Sequence, residues 1–263
     1  HDGLPAAGDS QALLVEPDGQ ATRTVFYFPG CGSERLFGRV GRATLFILLK
    51  SGSRVVLPPP FLCCGFPARV NAKEDMNARM TLRNAILFSQ IRDMFGWLAF
   101  DACVVSCGTC RESLEELGVT DIFDARLTDA SRFALDNGLA LNSGKNCLYH
   151  TPCHDSLDGG APTLLEKAGR YTVQPVAHCC AEAGTLALSR PDIANAMRRK
   201  KTEAIAQALA EDPDRNLMLT NCPACLQGLG RHRNPPIEVR HITEELARNC
   251  GGDQWQAELA RIV

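Results

Sequence analysis

Short apolar bursts recur along the chain, each closed by glycine, proline or cysteine, with longer stretches of helical spacing between them. Thr24 to Pro29 (TVFYFP), Arg54 to Leu57, the ACVVS run within Leu98 to Ser106, and Asp121 to Phe123 predict four strands. Cys147 to Tyr149, Thr172 to Val176, Asn216 to Thr220 (NLMLT) and Ile237 to Val239 predict four more. Leu36 to Leu49 is apolar nearly all round, as a helix buried against a sheet would be. Asn71 to Phe95 predicts a long amphipathic helix. Its stripe of Met76, Met80, Ile86 or Leu87, Ile91 and Met94 or Phe95 is expected to pack into the core. Further helices are expected from Glu112, from a Thr128 cap to near Gly138, and over Leu164 to Ala168. Ser189-Arg190-Pro191 reads as a cap and start for a helix with Ile193, Met197, Ile205 and Leu209 on one face. Thr243 reads as the cap of a last helix from Glu244. Residues 1–22 read as a linker or, through Ala12 to Val15, an edge strand.

The predicted order repeats. Cys107 to Cys222, Cys110 to Cys225 and Thr128 to Thr243 are each separated by 115 residues, and Cys63 to Cys179 by 116. Cys31 to Cys153, at 122, has drifted across a loop. Landmarks that repeat in step argue for a duplicated unit. The expected fold is α/β, with two tandem domains at 23–144 and 145–263, each a small, mainly parallel sheet flanked by helices.

Net charge is −2 over 263 residues, so no nucleic-acid footprint is expected. The longest apolar run, Leu45 to Leu49, is far below the roughly 20 residues of a bilayer span. Nothing at the start resembles a secretory signal, so a cytoplasmic protein is expected, peripheral at the inner membrane face only through a partner. The chain begins at His1, which suits a piece of a longer protein. What changes the picture is thirteen cysteines. Disulfide scaffolds belong to small secreted domains without a core, and this chain is neither small nor visibly secreted.

Ten of the thirteen follow one pattern, Cys … Cys-Cys … Cys-x-x-Cys. The gaps are 31 and 42 residues in the first copy and 25 and 41 in the second. Cys31, Cys63, Cys64, Cys107 and Cys110 each follow the carboxyl end of a predicted strand, as do Cys153, Cys179, Cys180, Cys222 and Cys225. In a parallel sheet those ends lie along one edge, where ligands bind. Helices starting there aim their amide ends at the site, which favours anionic thiolates. Adjacent cysteines suit a disulfide poorly. Soft thiolates select zinc, cuprous copper or iron–sulfur clusters. Structural zinc takes four ligands in short-spaced pairs, whereas each copy here offers five sulfurs and one such pair. An iron–sulfur cluster takes four cysteines, and a fifth could bridge irons or hold a more open cluster.

The blocks FPGC, FLCCGFPA and SCGTC, with YHTPCH, HCCAEAGT and NCPACLQGL, resemble the CCG cysteine-rich domain over about residues 24–250. That domain occurs doubled in the B subunit of heterodisulfide reductase and in the iron–sulfur subunits of glycolate, glycerol-3-phosphate and lactate dehydrogenases. The resemblance implies one or two [4Fe–4S] clusters held by the ten cysteines, noncubane in the heterodisulfide reductase form. It implies a flavin-containing dehydrogenase as partner, as a separate subunit or fused before this region. Both last gaps are longer than in the heterodisulfide reductase form, and no ferredoxin-like C-x-x-C-x-x-C-x-x-x-C-P run is present.

The leading expectation is an iron–sulfur electron carrier for a flavin enzyme that oxidises a 2-hydroxy acid such as glycolate or lactate. Thiol–disulfide reduction at a cluster and a structural zinc-thiolate scaffold are the alternatives. No phosphate loop or dinucleotide fingerprint points to a flavin or nicotinamide site. Cys103 and Cys147 read as small core residues, and Cys250 also lies outside the repeat. His154 and His178 read as packing or hydrogen-bonding neighbours of the cysteines. Cys153 with His150 would make a hydrolase only with an oxyanion hole and an orienting third group, which nothing supplies. Glu182 reads as a proton acceptor or a solvated turn carboxylate. Arg111, Arg231 and His232 offset cluster charge or are solvated surface basics. Gly30, Gly32, Gly65, Gly108 and Gly184 read as turns that let backbone approach a cluster.

Overall fold

The computed structural model describes residues 3–169, 171–182 and 186–263; Gly184 lies outside them. Its first sheet holds β1 (Leu13–Val15), β2 (Arg23–Phe28), β3 (Ser53–Leu57), β4 (Ala102–Val105) and β5 (Arg126–Asp129). The second holds β6 (Asn146–Tyr149), β7 (Thr172–Pro175), β8 (Leu217–Thr220) and β9 (Glu238–His241). Strand orders are β1-β3-β2-β4-β5 and β7-β6-β8-β9. Every pairing is parallel except β1 on β3, so the early apolar patch is an antiparallel edge strand. Without β1 the two sheets share one topology. Val25 to Phe28 and Ala102 to Val105 are buried throughout, as expected of parallel strands covered on both faces.

Several local expectations are corrected. Asp121 to Phe123 is not a strand: Val119–Phe123 is a short helix following Gly118 at φ 80°, and the strand falls on Arg126–Asp129. The helix expected from Glu112 starts at Gly108, with Cys107 at its N-cap. The caps assigned to Thr128 and Thr243 belong to their neighbours. Asp129 accepts from the Ser131 amide at 2.8 Å, and His241 Nδ1 accepts from the Thr243 amide at 3.2 Å. The equal threonine spacing is therefore not a structural equivalence. Arg190, not Ser189, holds the N-cap position of helix Pro191–Glu211. In helix Glu74–Met94 only Asn84, Phe88 and Ile91 are buried, while Met76, Ile86 and Met94 are exposed. Of the predicted stripe, Ile91 is buried and Leu87 and Phe95 pack against the core, while Met76 and Met94 face outward.

One core spans both sheets. Helix Gly38–Lys50, buried nearly all round, packs on helices Ile242–Gly251 and Trp255–Ile262 of the second half. Phe46 meets Trp255 with ring centroids 5.7 Å apart, and both join Val25, Val104, Tyr149 and Leu246 in a single cluster. Large apolar side chains buried this way each stabilise by about 1.5–3 kcal/mol. The halves are thus held together hydrophobically, with the carboxyl ends of β2 and β4 facing those of β6 and β8.

Candidate metal centre

β2 and β4 are neighbours, and the chain leaves them for opposite edges of the sheet. The cysteines after such strands lie at a switch point. Cys31 follows β2 at the head of a single π-helical turn, Gly32–Leu36, and Cys107 follows β4 at the head of helix Gly108–Leu117. Cys222 repeats this after β8, as the N-cap of helix Pro223–Leu229. Cys63 Sγ lies 3.7 Å from Cys31 Sγ, and Cys107 Sγ lies 3.0 Å from Thr109 Oγ1. Gly30, at φ 61°, makes this closure possible. A Cβ there would sit 2.8 Å from Cys110 Sγ, and left-handed backbone favours glycine.

The sulfurs form one continuous line. Beyond the Cys31–Cys63 contact, sulfurs close enough to shift one another's acidity run from Cys63 to Cys64, Cys110 and Cys107 in the first half. They cross to Cys222 and continue to Cys225, Cys180 and Cys179. Cys153 is exposed and lines the same cavity as Cys179. The first five sulfurs and four of the second five are therefore brought together, with Cys153 beside them, and Cys107 and Cys222 approach across the halves.

Charge along this line alternates. Cys31 and then Cys64 donate to Cys63 and hold it down at about 3, while Cys31 is pushed up by Cys63 and by burial. Cys110 and Cys222 hold Cys107 far below the usual thiol range. Cys179, then Cys225, do the same for Cys180, with His150 adding to the effect. Cys64 is lowered by Cys110, but Cys63 and burial outweigh this and leave it at about 12. Cys110 and Cys225, each flanked by a stabilised thiolate, are pushed well up. Three thiolates with thiol neighbours, Cys107 and Cys180 buried and Cys63 half-buried, suit metal binding, because the deprotonated sulfur is the ligand.

The halves meet tightly at this line. A Cβ on Gly108 would run into the His154 carbonyl, and one on Gly32 would press on Pro223. His241 Nε2 donates to the Ser106 carbonyl at 3.1 Å, while Asp129 accepts from Ser156 Oγ at 2.5 Å. A cavity of about 550 Å³ opens beside the second set. Phe66 and Val70 of the first half line it, with Cys153, Cys179, Cys222 and Cys225 of the second.

The remaining candidates divide. Cys103 and Cys147 are buried in β4 and β6, where desolvation pushes each thiol to about 12, as core residues should be. Cys250 packs at the edge of the shared core. His178 is exposed at φ 72° and, with Ala181 at φ 63°, frames the Cys179–Cys180 turn in backbone that side chains rarely adopt. His154 pairs with Glu112 at 2.5 Å and stacks edge-on against Phe66. Glu182 is not a solvated carboxylate: it is 8% exposed, ion-paired to Arg231 at 2.7 Å and bonded to Gln227. Arg111 pairs with Glu115 and, across the halves, with Asp158. His232 is buried against Thr202.

Of two polar neighbours of the second set, the sequence singled out one only as a partner for Cys153 and the other not at all. His150 is 2% exposed, and one of its ring nitrogens lies within 4.8 Å of both Cys180 Sγ and Cys225 Sγ. Lys201, fully buried in the middle of helix Pro191–Glu211, donates to its Nδ1. Position offered one signal for His150: it stands three residues before Cys153, as Phe28 does before Cys31. An amphipathic helix gives no sign of a buried lysine.

All thirteen cysteines are free thiols, and amides of Gly65, Phe66, Ala181 and Glu182 point at the paired sulfurs. A soft, anionic, amide-lined donor set of this kind fits an iron–sulfur cluster. Among known proteins, the chain is 24% identical over 240 residues to lactate utilization protein A of Exiguobacterium sp., covering 84% of this chain and 96% of that one. It is 28% identical over 250 residues to the glycolate oxidase iron–sulfur subunit of Escherichia coli, covering 84% and 57%. It is 24% identical over 217 residues to the B subunit of the CoM/CoB fumarate reductase of Methanothermobacter marburgensis, covering 76% and 40%. The chain thus spans nearly all of the first relative but only about half or less of the other two. Residues 25–115 and 147–230 match the CCG cysteine-rich domain, the same two stretches that carry the two cysteine sets, and the chain belongs to that family.

Proposed function

We propose that this chain is the iron–sulfur component of a flavin-linked oxidoreductase acting on a 2-hydroxy acid of the glycolate or lactate type. Its ligands would be Cys31, Cys63, Cys64, Cys107 and Cys110 in a first domain, 23–144, and Cys153, Cys179, Cys180, Cys222 and Cys225 in a second, 145–263. The observation that carries this reading is the unbroken line of free thiols at two facing switch points. Clusters bound there would supply one-electron steps that a flavin partner can feed. The residues' part is to hold thiolates deprotonated, to surround them with amide donors and helix N-termini, and to bring the two sets together through Cys107 and Cys222. The names of the lactate and glycolate relatives support the substrate class.

Anaerobic purification tests the cofactor: iron and acid-labile sulfide should accompany the protein. Reoxidation of a reduced flavoprotein partner tests the relay. A second reading, thiol–disulfide chemistry, is favoured by the 550 Å³ cavity over exposed Cys153 and by the likeness to the CoM/CoB fumarate reductase. Turnover of a disulfide with a reduced dye, abolished in Cys153→Ser, would select it over the relay.

A further inference from the structure

His150 and Lys201 set the second cysteine set apart from the first. Lys201 Nζ lies 2.8 Å from the Val176 carbonyl, 2.9 Å from the Ala177 carbonyl and 3.1 Å from His150 Nδ1. An ammonium has three N–H donors and no acceptor, so these three partners use all of them. His150 Nδ1 must then accept, which leaves the ring proton on Nε2. That nitrogen is buried without a partner in ordinary hydrogen-bond geometry, and the ring stands with one nitrogen within 4.8 Å of the sulfurs of Cys180 and Cys225. Its approach to Cys180 is too loose for a finished hydrogen bond, yet close enough for the imidazole to favour the Cys180 thiolate.

We propose that Lys201 positions His150 as an N–H donor to the Cys180 sulfur rather than as a metal ligand, and that this gives the second set the higher reduction potential. This rests on the iron–sulfur reading above. Donors and positive charge near cluster sulfur stabilise the reduced form, which carries more negative charge. The first half lacks both groups. Phe28 stands where His150 does, packed edge-on against Phe88 with centroids 5.7 Å apart. Asn84 stands where Lys201 does: Asn84, Phe88 and Ile91 are the buried positions of one helix, and Lys201, Ile205 and Ala208 repeat that spacing in the other, where Ala194 is also buried. The Asn84 amide bonds the Cys63 carbonyl at 2.9 Å and brings no charge.

Backbone amides reach both cysteine pairs alike. The first set has one side-chain hydroxyl of its own, Thr109 on Cys107, whose counterpart is Ala224. That hydroxyl is neutral, whereas the His150 donor is backed by an ammonium, and an ionised partner roughly doubles the strength of a hydrogen bond. The charged pair should therefore decide the order of potentials.

The test is a redox titration of the cluster-loaded chain, followed by electron paramagnetic resonance, for wild type, His150→Phe, His150→Gln and Lys201→Met. Two midpoints are expected in wild type. His150→Phe, which copies the first half, should move the higher one down and leave the lower in place. His150→Gln should restore much of the shift, and Lys201→Met should lower the same midpoint. Unmoved midpoints in a His150→Phe protein with wild-type iron content would overturn the proposal, as would a strong nitrogen coupling from a directly bound imidazole in wild type. If His150→Phe fails to hold iron, wild type still decides: transfer to D2O should remove a proton coupling from the high-potential centre, and its absence overturns the proposal. Wild-type protein without iron would instead remove the functional reading beneath it.

Discussion

The two halves share a scaffold and differ in what surrounds the sulfur. Tyr27 bonds Ser106 Oγ at 3.0 Å and Tyr149 bonds Asn221 Oδ1 at 2.7 Å, equivalent tyrosines anchoring equivalent positions just before Cys107 and Cys222. Strand order and cysteine placement also agree. Phe28 against His150, Asn84 against Lys201 and Asp129 against His241 do not agree. A cavity opens on the second set, taking in Cys153, Cys179, Cys180, Cys222 and Cys225. The two halves thus share the cysteine frame, while the buried His150 and Lys201 and the cavity lie beside the second set. A pair of centres that differ in environment can order electron flow, whereas two identical ones cannot.

The largest expected effect separates the two centres. Cys64→Ser and Cys180→Ser should each remove about half of the bound iron, because each takes a buried sulfur from the middle of its set of five. Iron analysis of both variants checks this. Loss of all iron from either would mean that the Cys107–Cys222 contact makes a single site of the two sets. Next comes the shared core. Trp255→Ala should cost about 3–5 kcal/mol in urea unfolding, because it empties the seat against Phe46. A smaller loss confined to the second half would show that the halves are stable apart.

Gly108→Ala should cost about 1–3 kcal/mol, since its Cβ would drive the His154 backbone away, whereas Gly138→Ala has open space but a φ of 88°. Thermal unfolding of the two variants distinguishes junction clash from backbone strain. The smallest effect is in acid. Burial holds His241 down to about 4, so the unfolded chain takes up this proton near pH 6.5 while the folded one resists. A group kept neutral this way costs nothing above pH 6.5, and stability falls as pH drops from there towards 4. His241→Asn should reduce the loss between pH 7 and pH 5 by roughly 2 kcal/mol, read from urea midpoints at the two values. Asp129, its counterpart, is raised by burial and loses stability in the opposite direction, as pH rises past the ordinary carboxylate range.

The metal frame was legible because sulfur chemistry and strand ends leave a dense signal: cysteines after apolar bursts, twice in register. Parallel strands read well for the same reason, being buried on both faces. What misled was local. Val119–Phe123 has strand composition, yet Gly118 in a left-handed turn starts a helix there, and the true strand Arg126–Asp129 is half polar at the sheet edge. Helix Glu74–Met94 has apolar residues on several faces, so periodicity found Leu87 and Ile91 but carried the exposed Met76 and Met94 with them. Lys201, and the approach of His150 to Cys180 rather than to Cys153, were not legible because these partners lie far along the chain, across a helix packing that spacing does not encode. The junction, where Gly108 meets His154, is likewise a property of two halves meeting.

Iron and acid-labile sulfide in anaerobically purified wild-type protein, measured beside a Cys64→Ser/Cys180→Ser double variant, test the central claim most directly. The expected result is brown wild-type protein containing both elements and a colourless double variant. Colourless wild-type protein carrying stoichiometric zinc would contradict it.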